Sequence, residues 1–198
     1  MIAALLAGLA TASPALDVSL GGSPSGTTAA RLQVGSWSSV TAQRGLPGGW
    51  TLRADYELAR LRRHQPSVAI ARRWVDGRWR VTGEAATGWL YQDGELARSG
   101  PTAALLVRAG RVGRVAPVVT LGALAAAPIS RTVTITAQGE DRTLALGREL
   151  SLPGSLGVLV ALRGQLALEV GLDMDWIAVP TVSIPGAYVA LSASGGAR

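Results

Sequence analysis

Apolar residues recur at every second position along three long stretches of the chain. Over residues 164–176, Leu166, Leu168, Val170, Leu172, Met174 and Trp176 alternate with Gln165, Ala167, Glu169, Gly171, Asp173 and Asp175. Over residues 50–58, Trp50, Leu52, Ala54, Tyr56 and Leu58 alternate with Thr51, Arg53, Asp55 and Glu57. Over residues 79–91, Trp79, Val81, Gly83, Ala85, Thr87, Trp89 and Tyr91 stand against Arg78, Arg80, Thr82 and Glu84. In an extended chain successive side chains point to opposite faces, so each stretch is predicted to be a strand with one apolar and one polar face. A helix would scatter the same residues around its circumference. Strands this long and this two-faced predict the wall of a β-barrel.

Turn signals divide the remainder. Residues 16–20 are predicted to form a short first strand, ended by the loop run Gly21-Gly22-Ser23-Pro24-Ser25-Gly26, and residues 30–44 a second. Gly45-Leu46-Pro47-Gly48-Gly49 turns into the strand at 50–60, and a basic loop leads to the strand at 67–75. Asp76-Gly77 makes a tight hairpin into the strand at 79–91. Further strands are predicted at 102–112, 115–125, 156–162, 166–176 and 187–194. Residues 126–154 are harder to place. Thr132 to Thr136 and Arg142 to Leu146 flank Gln138-Gly139-Glu140-Asp141 as a hairpin, which extends beyond the wall or adds a pair of strands within it. The expectation is an all-β, antiparallel up-and-down barrel of about ten strands, with eight or twelve as alternatives.

The connections are predicted to differ between the rims. Tight turns near 45–49, 76–77, 113 and 163–164 alternate with longer loops at 21–28, 61–66, 92–101, 126–154 and 179–186. Short turns on one side and longer loops on the other is the pattern of outer-membrane barrels. The aromatics fit that pattern. Trp50, Trp74 and Trp79 lie beside short turns, whereas Trp89, Tyr91 and Trp176 lie at the far ends of strands. On the strand at 79–91 the two belts are separated by roughly 30–40 Å of extended chain.

Composition narrows the classes. At 198 residues the chain is predicted to be one barrel domain over residues 16–198. Residues 1–15 are predicted to be a signal peptide or N-terminal leader, with cleavage after Ala12 or Ala15, although a positive n-region is missing. Cysteine is absent, which removes disulfide frameworks and thiolate metal sites. The net charge is +6, carried by arginine without any lysine. Many arginines stand in strands beside carboxylates and no nucleic-acid module is present, so no nucleic-acid partner is expected. No apolar run reaches the ~18 residues of a transmembrane helix, so a membrane could be crossed only by a closed barrel.

On these residues the chain resembles the small bacterial outer-membrane β-barrel proteins, the OmpA/OmpX-like class. The likeness is architectural and covers residues 15–194: the leader, two-faced strands such as 50–58 and 166–176, and uneven loops. It departs from the class at the last strand, whose one aromatic, Tyr188, lies far from the end of the sequence. The resemblance implies the bacterial outer membrane as location, with membrane lipid and lipopolysaccharide as partners and a monomer as the expected state.

Candidate chemistry is sparse. The one histidine, His64, stands three residues before Ser67, and a lipid-modifying barrel enzyme would need such a base and nucleophile. The pair fits no catalytic motif, and neither a metal set nor a cofactor motif is present. The polar face says more. Arg53, Asp55, Glu57, Arg80, Glu84, Glu169, Asp173 and Asp175 are predicted to point inward as a network of opposed charges, with Arg72 or Arg73 and Arg108 as further members. Eight to ten strands leave an interior just wide enough for side chains, so a filled, non-conducting lumen is preferred to a narrow small-solute pore. Arg60, Arg62 and Arg63 are predicted to form a rim that meets lipopolysaccharide phosphates. The expected function is non-enzymatic: envelope structure or surface interaction. The alternative is a secreted, lipocalin-like barrel holding an apolar molecule, which would turn every strand the other way round.

Overall fold

In a computed structural model the described residues are 18–35, 37–59, 63–74, 79–93, 98–127, 131–137, 140–146, 148–162, 165–178 and 181–195. They form twelve strands: β1 (Thr28–Gly35), β2 (Trp37–Gly45), β3 (Trp50–Ala59), β4 (Arg63–Trp74), β5 (Trp79–Gln92), β6 (Arg98–Arg111), β7 (Val115–Ala126), β8 (Arg131–Ala137), β9 (Glu140–Leu146), β10 (Glu149–Ala161), β11 (Leu166–Ala178) and β12 (Thr181–Gly195). Ten of them close a barrel in the order β1-β12-β11-β10-β7-β6-β5-β4-β3-β2, every neighbour antiparallel. Closure by β1 against β12, from Thr28↔Gly195 to Gly35↔Tyr188, leaves no edge strand.

The expected count of ten holds, by a different assignment. Residues 30–44 are two strands, β1 and β2, because the chain reverses between Gly35 and Trp37 and pairs Gln33 with Ser39. Residues 18–20, expected at the end of a first wall strand, lie in a short helical turn instead. The hairpin over 126–154 is β8 and β9, paired to each other in a separate two-stranded sheet, so it extends beyond the wall. We call the rim bearing this hairpin the upper rim. The lower rim holds the start of β1 and the end of β12.

The strands also run further than their alternation indicates. Upper-rim connections shrink to residue 36 and to 60–62, 93–97 and 179–180, leaving 127–148 as the one long excursion. The tight turns expected at 76–77 and 163–164 lie outside the described residues, and the lower rim is turned by 46–49 and 112–114. The first of these contains a 3-10 turn, Pro47–Gly49, with Gly48 and Gly49 at φ 73° and 76°, a backbone region that glycine occupies without strain.

The alternation fixes which side faces out. Leu32, Leu52, Ile70, Leu105, Leu121, Leu156, Leu172 and Leu191 are all exposed on the outer surface. Glu169, Asp55, Thr41, Gln43, Ser151 and Ser192 are buried within the barrel. This distribution inverts that of a water-soluble barrel. The apolar cluster inside is small: Leu20 with Val118, Leu159 and Ala167, and Ala161 packed against them. Leu20 reaches it because residues 18–23 pass into the lower end of the lumen, where every one of them is buried.

Candidate functional site: the lumen

The inward segment at 18–23 is anchored on several strands. The Ser19 hydroxyl donates to the Ser192 hydroxyl at 2.7 Å, and the Ser23 backbone N–H donates to Thr51 Oγ1 at 2.9 Å. Gln43 Nε2 donates to the Gly22 carbonyl at 3.0 Å and to Ser23 Oγ at 2.8 Å. Polar groups that would otherwise be stranded in the lumen are satisfied, and the two large side chains, Val18 and Leu20, are almost wholly excluded from solvent. The lower end is therefore stoppered by the chain's own N-terminal segment.

Charge pairs stand above the stopper. Glu169 on β11 is fully buried and accepts from three donors: Arg31 Nη2 at 3.1 Å, Arg108 Nη2 at 2.8 Å and the Tyr188 hydroxyl at 2.6 Å. Nearby in the lumen, Arg53 forks onto Asp55 at 2.8 and 2.9 Å and also binds Glu84, while Thr41 donates to Asp55 at 2.6 Å. Towards the upper rim Arg63 binds Glu149 at 2.8 Å. Charges taken out of water must be partnered. Arg53 and Asp55 pair along β3, while the Arg53–Glu84, Arg31–Glu169, Arg108–Glu169 and Arg63–Glu149 pairs join strands that are not neighbours in the wall.

Tyr188 fits the wall because two glycines face each other beneath it. Gly157 and Gly171 are cross-strand partners, and a Cβ on either would come within 2.8 or 2.7 Å of the Tyr188 hydroxyl. The pair makes the recess that lets the phenol reach Glu169.

Between the stopper and the upper rim lies a cavity of about 200 Å³. Gly21 lines it from the stopper, and Trp37 and Arg63 line it towards the upper rim. Asp173 and Asp175 stand on the β11 side, and Ala104, Leu106 and Leu124 on β6 and β7 make an apolar wall. Arg31 Nε, Arg63 Nε, Arg108 Nε and Asp175 Oδ1 are buried without a protein hydrogen-bond partner. Space of this size and polarity accommodates several waters against such groups.

Each residue singled out in the sequence has a definite place. Arg53, Asp55, Glu57, Glu84, Asp173 and Asp175 line the cavity, and Glu169 lies beneath it as the acceptor of Arg31 and Arg108. Arg80 alternates inward on β5 near the lower rim, outside the cavity lining. Of the further members, Arg108 joins the Glu169 pair, Arg72 is exposed on the outer surface, and Arg73 lies on the opposite face from it. Trp50, Trp74 and Trp79 sit on the outer face at the lower rim, and Trp89, Tyr91 and Trp176 on the outer face towards the upper rim. Arg63 corrects the expected lipopolysaccharide rim: it points into the lumen, is buried and is held by Glu149. Its position on β4 alternates with Gln65 inside, not with His64 outside. Arg60 and Arg62 lie outside the described residues, as do residues 1–17.

His64 and Ser67 are three residues apart on a strand, so they project to opposite faces. His64 meets the Tyr56 hydroxyl at 3.0 Å on the outer surface, while Ser67 lines the cavity. Among the described residues, no group of three or more His, Cys, Asp or Glu side chains is placed to hold a metal ion.

Sequence reasoning missed Arg31, Glu149, Trp37 and the stopper. Arg31 and Trp37 were hidden by the undivided strand at 30–44, whose serines and glutamines blur the alternation. The stopper was misread because Val18-Ser19-Leu20 continues an alternation with Leu16 and Asp17 that imitates a wall strand. Compared with known proteins, the chain matches no family model and no curated protein.

Proposed function

We propose that the chain is an outer-membrane β-barrel protein of the bacterial envelope, with a stoppered, charge-paired lumen and a non-enzymatic role in envelope structure or surface interaction. The observation that carries this reading is the inverted distribution of side chains. Leucine, valine and isoleucine cover the outside of the closed wall, while arginine and carboxylate fill the inside. An outer surface this apolar would associate or aggregate in water, and a bilayer is the solvent it matches. Tryptophan near both rims, joined by Tyr91 at the upper one, occupies the positions of interfacial girdles.

The lipocalin-like alternative needs an apolar interior and a polar exterior, and the lumen charges disfavour it. A narrow solute pore is disfavoured by residues 18–23 across the lower end and by the Glu169 and Arg53 pairs above them. Lipopolysaccharide contact, if made, falls to upper-rim groups other than Arg63. The test is twofold. Expressed with its leader in a Gram-negative host, the protein should fractionate with outer membranes. Purified and reconstituted in planar bilayers, it should give no steady single-channel conductance. Recovery in the soluble periplasmic fraction would overturn the membrane reading, and a reproducible conductance would overturn the closed lumen.

A further inference from the structure

The outer face of the lower rim carries a run of arginine and tryptophan on adjacent strands that the barrel itself does not use. Arg44 on β2, Arg72 on β4, Arg111 on β6 and Arg114 in the following turn are all exposed. Trp50, Trp74 and Trp79 stand among them, also exposed. Cross-strand pairing interleaves the two types: Arg72 is opposite Trp50, and Arg111 is opposite Trp79. The Arg72 guanidinium lies over the Trp50 ring at 5.2 Å, and the Trp74 ring packs against Gly83 on the neighbouring strand. The arc runs from β2 to the turn after β6, about half the circumference. Among the described residues it contains no acidic side chain. Among the residues whose exposure is described, the exposed charges at the upper rim are Asp93 and Arg148, of mixed sign.

We infer that this arc is a binding surface for the phosphates of anionic diacyl phospholipids in the leaflet that surrounds the lower rim. The inference rests on the membrane reading above. An indole fixes the depth of the headgroup region, because its ring is apolar and its N–H seeks polar partners. An arginine at the same depth presents a flat fork of donors that matches two phosphate oxygens. Stacking on Trp50 orders the Arg72 fork before any lipid arrives, so less side-chain freedom is lost on binding. Four like charges on one arc are unfavourable for the protein alone and are relieved by anionic headgroups, each basic group near such a surface contributing about a fivefold preference. The one long excursion, 127–148, stands on the opposite rim. Barrels of this architecture carry their longer loops outside and their turns towards the periplasm, which assigns the arc to the phospholipid leaflet rather than to lipopolysaccharide.

The test uses the full-length protein reconstituted in phosphatidylcholine bilayers containing a trace of spin-labelled lipid. Selectivity of the motionally restricted shell for spin-labelled phosphatidylglycerol over phosphatidylcholine is read by electron spin resonance. The wild type is expected to prefer phosphatidylglycerol several-fold. The R44Q/R72Q/R111Q/R114Q variant, confirmed as folded by a heat-dependent shift on SDS gels, is expected to lose most of that preference. Should the variant not fold, raising salt towards 1 M in the wild type serves instead, since screening there should remove the preference. A folded, heat-modifiable wild type with equal selectivity for both lipids would overturn this inference while leaving the membrane reading intact. So would a preference that survives the four substitutions, or one abolished by millimolar inorganic phosphate, or one shown for lipopolysaccharide instead. A protein that needs no detergent at all would overturn both.

Discussion

The Ser19 hydroxyl meets the Ser192 hydroxyl at 2.7 Å, joining the N-terminal segment to the last strand across 173 positions of sequence. That contact seats Leu20 against Val118, Leu159 and Ala167 and closes the lower end of the lumen. Leu20→Ala is expected to destabilise the folded barrel by about 2–5 kcal/mol, the range for a large buried side chain cut to a methyl. The midpoint of urea unfolding in detergent checks it. Leu20→Asp should displace the segment, so that planar bilayers show a small steady conductance absent from the wild type.

Glu169 is the acceptor on which two arginines and Tyr188 converge. Glu169→Gln leaves Arg31 and Arg108 facing one another without a counter-charge and should cost about 3–5 kcal/mol. Replacing the whole group together, as Glu169→Leu with Arg31→Met, Arg108→Met and Tyr188→Phe, should recover most of that loss. Equilibrium unfolding of the two variants makes the comparison, and a single variant as stable as the wild type would contradict the pairing.

Gly171→Ala adds a methyl where the Tyr188 hydroxyl stands at 2.7 Å and the Leu156 carbonyl oxygen at 2.6 Å. Overpacking of this kind is expected to lower stability by about 1–3 kcal/mol. A smaller penalty is expected for Gly154→Ala, where the nearest atom lies at 3.6 Å. Unfolding midpoints of the two alanine variants, measured side by side, test the contrast.

The described part of the stopper, residues 18–23, lies downstream of both cleavage positions read from the sequence, Ala12 and Ala15. Processing at either would leave residues 18–23 on the mature protein. N-terminal sequencing of exported protein is expected to begin at Ser13 or at Leu16. A mature end beyond Ser23 would remove the stopper from the functional molecule.

Much of the wall was legible because a strand exposed to different solvents on its two faces carries a period of two. β3, β5 and β11 alternate with little interruption, and their inward and outward sets follow directly from sequence. Legibility fell where that contrast weakens. In β1 and β2 the outward face includes alanine, serine and arginine, and the reversal between Gly35 and Trp37 occupies too few residues to announce itself. The upper ends of β4 and β10 carry Arg63, His64 and Glu149, which read as loop because polar residues line the lumen as readily as they line a loop. Pairing was out of reach for another reason. Arg31, Arg108 and Glu169 come from β1, β6 and β11, and only closure of the sheet brings those strands face to face.

The central claim is a closed barrel with its apolar side facing lipid, and mobility on SDS gels tests it most directly. Detergent-extracted protein is compared boiled and unboiled. A closed membrane barrel keeps its compact form in SDS until heated, so the unboiled sample should migrate apart from the boiled one, with the shift abolished above the unfolding temperature. Identical mobility in both lanes, from a protein that stays monomeric and soluble without detergent, would contradict the account.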